Sequence, residues 1–292
     1  MSLDVHHFPD SMVAVATAIP VEQLHTSTYR DIARHIQSLQ LLKPDYIGDV
    51  PVVMKLSDDQ HDALRPSFTE PTPVGVVSPD AQRVNRFGVL QLALGASIGT
   101  VLSIPSVRDG AVVQDIFPKA SSRATVSSSY GSEAEFAFHN DLSFLDDAEI
   151  PDYVNLGCIR NVEGAETLVA HVTDIVSGLD DKDITELQKP QYVVRHTYHR
   201  GKPSEKTSQK HSAVLLPNGE ITLGVDMTPQ TNAAAIALRS LRQFVAQVAT
   251  PHTLQAGEVL VLPNKQVVHA RDTFTMSDNP ENRRWLQRIN IG

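Results

Sequence analysis

The sequence predicts a mainly β fold, in which a jelly-roll or double-stranded β-helix core carries flanking helices. Three observations support this fold class. About the first 105 residues carry helical signals, short runs rich in β-branched residues follow one another after Gly110, and one helix-forming segment interrupts that series. Short strands bounded by Pro, Gly, Asn and Asp are typical of a β-sandwich or barrel.

Two helices are predicted in the N-terminal part. The first covers residues 28–42, where Thr28 can cap the helix. Its apolar residues repeat at the spacing of one helix face: Ile32, Ile36, Leu39 and Leu42. The second helix is predicted over residues 88–99.

The region from about 106 to 292 is predicted to form the jelly-roll core. The predicted strands are residues 111–117, 133–139, 153–159, 166–172, 191–197, 212–217, 220–225, 258–263, 267–270 and 284–291. A helical insertion near 230–249 interrupts them. Its apolar stripe consists of Ile236, Leu238, Leu241, Phe244 and Val248. No linker-like segment divides the chain, so a single domain over 1–292 is expected.

Composition excludes several classes of protein. The 292 residues carry a formal net charge of −9, which leaves no excess positive charge for the phosphate contacts of a nucleic-acid-binding protein. Cys158 is the only cysteine, so an internal disulfide is impossible. The sequence shows neither an export signal nor a membrane-spanning apolar stretch. We therefore expect a soluble cytoplasmic enzyme with a small-molecule substrate.

A metal-binding pattern lies in the segment EFAFHNDLSF, where His139 and Asp141 stand two positions apart. Residues i and i+2 of a strand point to the same side, so both side chains can reach one ion. His269, near another predicted strand, can supply a second imidazole. Two histidines and one carboxylate on one face of an octahedron form the ligand set of non-haem Fe(II) oxygenases.

Other interpretations of these histidines exist. The sequence has 12 histidines, so an H-x-D pair can arise by chance, and the same three ligands also suit Zn(II) in a hydrolytic site. A second metal site at His196 and His199, completed by His211, is disfavoured because residues three apart on a strand point to opposite faces. A polar strand end is the favoured interpretation there.

The C-terminal strand supplies an independent observation. Alternation along it places Arg284, Leu286 and Arg288 on one face. Two guanidinium groups that face a core need anionic partners, because an unpaired buried charge is costly. A dicarboxylate bound at the metal would be such a partner.

With these residues in place, the chain resembles the clavaminate synthase-like branch of the 2-oxoglutarate oxygenases, within the taurine dioxygenase superfamily. Four blocks carry the resemblance: GSEAEFAFHNDLSF, AETLVAHV, GEVLVLPNKQVVHAR and RRWLQR. It implies a double-stranded β-helix, Fe(II), 2-oxoglutarate and O2 as co-substrates, and hydroxylation of an amino acid at an unactivated carbon. It also implies that His139, Asp141 and His269 are the metal ligands.

The resemblance implies roles for five further residues. Arg284 and Thr167 would bind the distal carboxylate of 2-oxoglutarate, and Arg288 would hold the carboxylate of the substrate. Ser129 would lie near the substrate. Asp226 would bind the side chain of a basic amino acid, although a turn before Pro229 explains it equally well.

The sequence departs from the family pattern at three places. Asp141 stands where this branch often has Glu, and HAR replaces the more usual HGR. The spacing from His269 to Arg284 is one residue longer than is usual in the family. Arg283 is therefore a competing candidate for the residue that binds 2-oxoglutarate. The alternative function is a non-redox jelly-roll metalloprotein, such as an isomerase, a hydrolase or a small-molecule binder.

Overall fold

A computed structural model describes residues 3–125, 129–196 and 208–292. The helices of this part are α1 (Asp10–Ala18), α2 (Val21–Thr26), α3 (Tyr29–Gln37), α4 (Asp58–Thr69), α5 (Arg86–Ile98), α6 (Val172–Val176), α7 (Asp181–Leu187) and α8 (Asn232–Val248). Among the described residues, no helix has both the length and the apolar character needed to cross a bilayer.

The described strands are β1 (Asp4–His7), β2 (Val52–Lys55), β3 (Gln114–Ile116), β4 (Phe136–His139), β5 (Tyr153–Arg160), β6 (Thr167–His171), β7 (Tyr192–His196), β8 (Ser208–Ser212), β9 (Met227–Pro229), β10 (Thr250–His252), β11 (Glu258–Pro263), β12 (Val267–Arg271) and β13 (Trp285–Ile291). Six of them form the major sheet in the order β1-β2-β11-β5-β13-β3, and four form the minor sheet in the order β10-β6-β12-β4. A smaller sheet has the order β8-β7-β9.

The core lies between the major and minor sheets, as the predicted jelly-roll requires. Leu156, Leu260 and Leu286 of the major sheet form one buried cluster with Val169 and Val267 of the minor sheet. Helix α5 packs on the outer face of the major sheet, and α8 belongs to the cluster on the outer face of the minor sheet. The structure therefore confirms the mainly β fold with flanking helices.

The N-terminal part contains more helices than the two that were predicted, and the first of those two is shorter than predicted. Helix α3 begins at the predicted cap, where the Thr28 side chain accepts a hydrogen bond from the Asp31 amide. The helix ends at Gln37, so Leu39 and Leu42 are exposed and do not continue the predicted stripe. Strands β1 and β2 were not predicted, because four-residue strands carry too little periodicity to recognise. They join the major sheet through the pairing of β2 with β11.

Two of the predicted strands are instead buried irregular segments. Residues 212–217 and 220–225 meet only at the isolated bridge between Leu215 and Ile221. Their apolar residues are buried all the same, and periodicity alone cannot separate a buried strand from a buried loop. In α8 the predicted stripe is rotated, since Ile236 is exposed while Ala237 and Val245 are buried.

Cys158 provides a test of the core. Its thiol is fully buried on β5, and burial raises its pKa to about 12. Because the thiolate is the reactive form, we expect no alkylation by iodoacetamide at pH 8 without denaturant and complete alkylation in 6 M guanidinium. The variant Val162→Cys places a thiol at a side chain that is 72% exposed and should react at once. Rapid native labelling of Cys158 would contradict the described core.

Candidate active site

The three predicted metal ligands converge at one end of the minor sheet. His139 on β4 and His269 on β12 are direct cross-strand partners, and their ring centroids lie 4.4 Å apart. Asp141 lies in the turn just beyond β4, with its Oδ1 3.6 Å from His139 Nε2. One ligand atom from each residue lies within 4.8 Å of the other two. The prediction that alternation along one strand brings His139 and Asp141 together was only partly right. Strand β4 ends at His139, and the turn after it brings Asp141 to the same side.

A backbone contact fixes the tautomer of His139. Its Nδ1 lies 2.8 Å from the carbonyl oxygen of Ala137. A carbonyl only accepts, so Nδ1 must carry the proton and donate it. The other ring nitrogen, Nε2, faces Asp141. Such a contact is the usual way in which a protein orients a metal-binding imidazole.

The charge states of the other two ligands also suit a cation. Burial, reinforced by the neighbouring His139, lowers the pKa of His269 to about 3, so its ring is neutral at pH 7. Burial alone would raise the pKa of Asp141, but Arg288 and the two histidines outweigh burial and hold it well below its usual range. The site thus offers a neutral imidazole at His269 and a carboxylate anion at Asp141.

Two buried polar atoms of the ligand residues lack hydrogen-bond partners among the described residues, as expected if they lie at a metal site. Within the described part of the chain, Asp141 Oδ2 and His269 Nδ1 are buried and have no hydrogen-bond partner. Buried polar atoms normally have a partner, and a divalent ion would satisfy such atoms. Two histidines and one carboxylate with open positions are the donor set of non-haem Fe(II) sites. The residues present therefore fit Fe(II).

The metal ligands line a cavity between the two main sheets. Its apolar wall comes from Ile116, Phe136, Leu156, Ala270 and Leu286. Its other polar residues are Ser129, Thr167, Arg271, Arg284 and Arg288. The predicted site residues therefore share one cavity, with the exception of Asp226.

Arg284 rather than Arg283 faces this cavity. Arg284 is only 4% exposed, and its Nε is buried without a hydrogen-bond partner among the described atoms. Burial lowers the pKa of Arg284 to about 10. Arg283 is half-buried and donates from its Nε to the Ser277 carbonyl at 2.9 Å. The cavity thus presents an Arg284 guanidinium suited to an anion, with Thr167 in the same wall.

Arg288 lies beside the metal ligands. Its Nη1 donates to Asp141 Oδ1 at 2.7 Å, and its Nη2 and Nε donate to Gln114 Oε1 at 2.6 and 3.2 Å. Alternation along β13 sends Arg288 and Leu286 into the cavity, while Gln287 on the opposite face donates to Asp115 and Tyr29.

Ser129 and Asp226 occupy different environments. Ser129 lines the cavity, and its Oγ lies 3.4 Å from Arg108 Nη2. Asp226 is exposed in the turn before β9, does not line the cavity, and acts electrostatically on Arg242 of α8. Of the alternative histidine site, His199 lies outside the described residues.

Sequence reasoning missed three residues near the site. Arg271 lines the cavity and donates to the backbone carbonyls of Ser132 and Ala134. Its position two residues after His269 on one strand could have revealed it. Gln114 and Arg108 could not have been found in this way, because the pairing of β3 with β13 brings them to Arg288 from far away in the sequence.

Comparisons with known proteins agree with this geometry. Residues 85–290 match the family described as taurine catabolism dioxygenase TauD, TfdA. The chain is 29% identical over 225 residues to the L-asparagine oxygenase of Streptomyces coelicolor, covering 72% of this chain and 65% of that protein. It is 28% identical over 228 residues to clavaminate synthase 2 of Streptomyces clavuligerus, covering 75% of this chain and 68% of that protein.

The fold also has solved counterparts. The structure of the non-heme iron oxygenase OrfP in complex with Fe, succinate and (3S)-hydroxy-L-Arg superposes with a TM-score of 0.77 at 18% identity. The superposition covers 99% of this chain and 94% of that one. These matches confirm the jelly-roll fold and the resemblance found in the sequence. The chain belongs to the taurine catabolism dioxygenase TauD, TfdA family.

Proposed function

We propose that this protein is an Fe(II)- and 2-oxoglutarate-dependent oxygenase that hydroxylates an unactivated carbon of a free L-amino acid or a close derivative. One observation carries the proposal: a His139, Asp141 and His269 ligand set shares its cavity with the buried Arg284, a cation positioned for an anionic co-substrate. The matching family is described as a dioxygenase family, and one relative named above is an L-asparagine oxygenase.

His139, Asp141 and His269 would hold the iron. When bound, Fe(II) with 2-oxoglutarate and O2 supplies the oxidising chemistry, and succinate and CO2 are released. Arg284 would bind the distal carboxylate of 2-oxoglutarate through its two-pronged guanidinium, with the Thr167 hydroxyl beside it. Phe136 packs against His139 at a centroid distance of 4.3 Å and excludes water from that side of the cavity.

Arg288 would hold the carboxylate of the amino acid. Its contacts with Asp141 and Gln114 fix the guanidinium next to the metal ligands, so a substrate bound there has its carbon chain close to the reacting centre. Ser129, which lines the same cavity, would contact the polar groups of the substrate. The single buried cysteine, Cys158, suits a reducing compartment, and the proposal therefore places the enzyme in the cytoplasm.

A non-redox jelly-roll metalloprotein, including a Zn(II) hydrolase, remains the alternative. Such a protein would use the three ligands without needing Arg284, Thr167 and Arg288 in the same cavity. The distinguishing experiment is to measure succinate formed from 2-oxoglutarate in the presence of Fe(II), O2 and a panel of free L-amino acids. Substrate-dependent succinate that disappears with EDTA supports the oxygenase. Its absence with every amino acid tested would contradict the proposal.

The 2-oxoglutarate role of Arg284 leads to a further prediction. Arg284→Lys keeps the charge but loses the bidentate geometry, so the KM for 2-oxoglutarate should rise by about tenfold or more. The KM for the amino acid should change much less. Arg283→Lys is the matched control and should behave as the wild type, because Arg283 contacts Ser277 outside the cavity. The opposite pattern would assign 2-oxoglutarate to Arg283.

A further inference from the structure

We infer that Arg108 binds an anionic group on the side chain of the substrate, so that the enzyme prefers an amino acid with a second carboxylate. This inference rests on the proposed function and identifies the substrate class within it. The carboxylate next to the α-carbon would meet Arg288, and the carboxylate of the side chain would meet Arg108.

Arg108 lies in the loop that precedes β3 and contacts a residue of the cavity wall. Its Nη2 donates to the Oγ of Ser129, a cavity-lining residue, at 3.4 Å, and its Nη1 donates to the Asp115 carbonyl at 3.2 Å. The guanidinium carbon lies 4.4 Å from the centroid of the Tyr130 ring. Both Arg288 and the metal ligand Asp141 act on Arg108 electrostatically. These contacts place the Arg108 charge directly behind the part of the cavity wall that Ser129 forms, within hydrogen-bonding distance of the Ser129 hydroxyl.

An unusual backbone conformation supports this position. Arg108 and Asp109 both have positive φ values, 50° and 57°, which L-residues other than Gly rarely adopt. Gly110 follows with φ 75°, and its carbonyl accepts hydrogen bonds from Ser103 Oγ at 2.7 Å and Arg30 Nη2 at 3.3 Å. Two consecutive left-handed residues are retained only where the surroundings enforce them, and such strain is concentrated at functional sites.

The charge of Arg108 lacks an anionic partner within the described residues. No described carboxylate lies within ion-pairing distance of it, whereas Arg288 has Asp141. The nearby Asp115 carboxylate is already engaged, because it accepts from Trp285 Nε1 at 2.8 Å and Gln287 Nε2 at 3.1 Å through one oxygen and from Gln82 Nε2 at 2.7 Å through the other. Burial, reinforced by Arg288, lowers the pKa of Arg108 to about 9. A bound anion would offset the free-energy cost of burying the charged guanidinium of Arg108.

A second cation strengthens the preference for an anion. Lys119 Nζ lies 3.7 Å from the centroid of the same Tyr130 ring. Burial lowers the pKa of Lys119, and Arg108 lowers it further. Like charges brought together in this way repel a cationic side chain and attract an anionic one. Asp226, which could have compensated a basic substrate, is exposed and does not line the cavity.

The test compares amino acids that differ only in the charge of the side chain. With Fe(II) and 2-oxoglutarate supplied, substrate-dependent succinate formation is measured for L-aspartate, L-asparagine, L-glutamate, L-glutamine, L-lysine and L-arginine. We expect the kcat/KM of at least one acid to exceed that of its amide and of both basic amino acids by tenfold or more. Binding of the same compounds is measured anaerobically by calorimetry as a second readout.

Variants of Arg108 complete the test. Arg108→Gln should reduce the preference for the acid over its amide about tenfold, while the KM for 2-oxoglutarate stays unchanged. Arg108→Lys, which keeps the charge, should retain part of the preference and guards against a folding defect of the Gln variant. Arg123→Gln is the matched control, because Arg123 is an exposed arginine paired with Glu133. It should behave as the wild type.

The outcomes separate the two proposals. A wild-type preference for amides or basic amino acids would overturn the role of Arg108 and leave the oxygenase activity in place. The same holds if Arg108→Gln affects acids and amides equally, or changes only the KM for 2-oxoglutarate. If no amino acid stimulates succinate formation, both the oxygenase proposal and the role of Arg108 are overturned.

Discussion

Replacing His139, Asp141 or His269 with Ala should reduce amino-acid-dependent succinate formation by a factor of about a thousand or more. Each residue provides one of three ligand atoms that lie within 4.8 Å of one another, and no other described His, Cys, Asp or Glu belongs to this group. With one ligand missing, the site should also bind less iron. The measurements are succinate formation and the iron content of each purified variant.

The three variants should differ in stability. His139→Ala and His269→Ala remove imidazole rings from the cavity wall and should unfold close to the wild-type temperature. Asp141→Ala leaves the Arg288 guanidinium, which now pairs with Asp141 at 2.7 Å, without its partner. Breaking a buried ion pair costs about 3–5 kcal/mol, so this variant should be the least stable. His211→Ala is the control, since His211 is exposed on β8. Full turnover by any of the three ligand variants would refute the assignment.

The parts of the fold that were predictable are those with long, regular patterns. The continuous apolar run of β11 and the alternation of β13 were recognised within one residue of their ends. Helix α8 is capped by Thr231, whose side chain accepts a hydrogen bond from the Ala234 amide. Strands β1 and β2 were not predicted, because they form by pairing with each other and, through β2, with β11, and such pairing is a tertiary property.

The site residues that could be predicted are likewise those that belong to local sequence patterns. The spacing of His139 and Asp141 and the alternation of Arg284 and Arg288 are local patterns, and a sequence displays them directly. The environment of Arg108 depends on a strained turn and on the pairing of β3 with β13, neither of which has a signature in the sequence. Asp226 was predicted from the family resemblance, but it is exposed and does not line the cavity. A matching position in a family does not reveal whether a side chain faces the cavity.

Two asparagines hold the turn that carries Asp141. The Asn264 side chain accepts from the Asp141 amide at 2.9 Å and donates to the carbonyls of Asp141 and Pro151 at 3.0 and 3.1 Å. Asn140, between the two ligands of this segment, donates to the Asn264 carbonyl at 2.6 Å. Leu142 follows with φ 59°, so the turn adopts a conformation that needs support.

Asn264→Ala should therefore lower both the stability of the protein and its affinity for iron. The substitution leaves one amide and two carbonyls without partners in a buried region, and each such group costs about 1–3 kcal/mol. Some of these groups will find new partners, so we expect the free energy of unfolding to fall by about 3 kcal/mol. The Asp141 carboxylate also loses its fixed position, so the dissociation constant for Fe(II) should rise about tenfold or more.

Asn161 offers a matched control for this prediction. Its side chain makes the same three kinds of bond, accepting from the Ala165 amide at 3.0 Å and donating to the carbonyls of Ala165 and Leu254 at 3.0 and 3.1 Å. None of these bonds involves a metal ligand. Asn161→Ala should therefore lower the denaturant midpoint while leaving the Fe(II) dissociation constant unchanged. If both variants weaken iron binding to the same extent, the effect of Asn264 reflects general destabilisation and not the placement of Asp141.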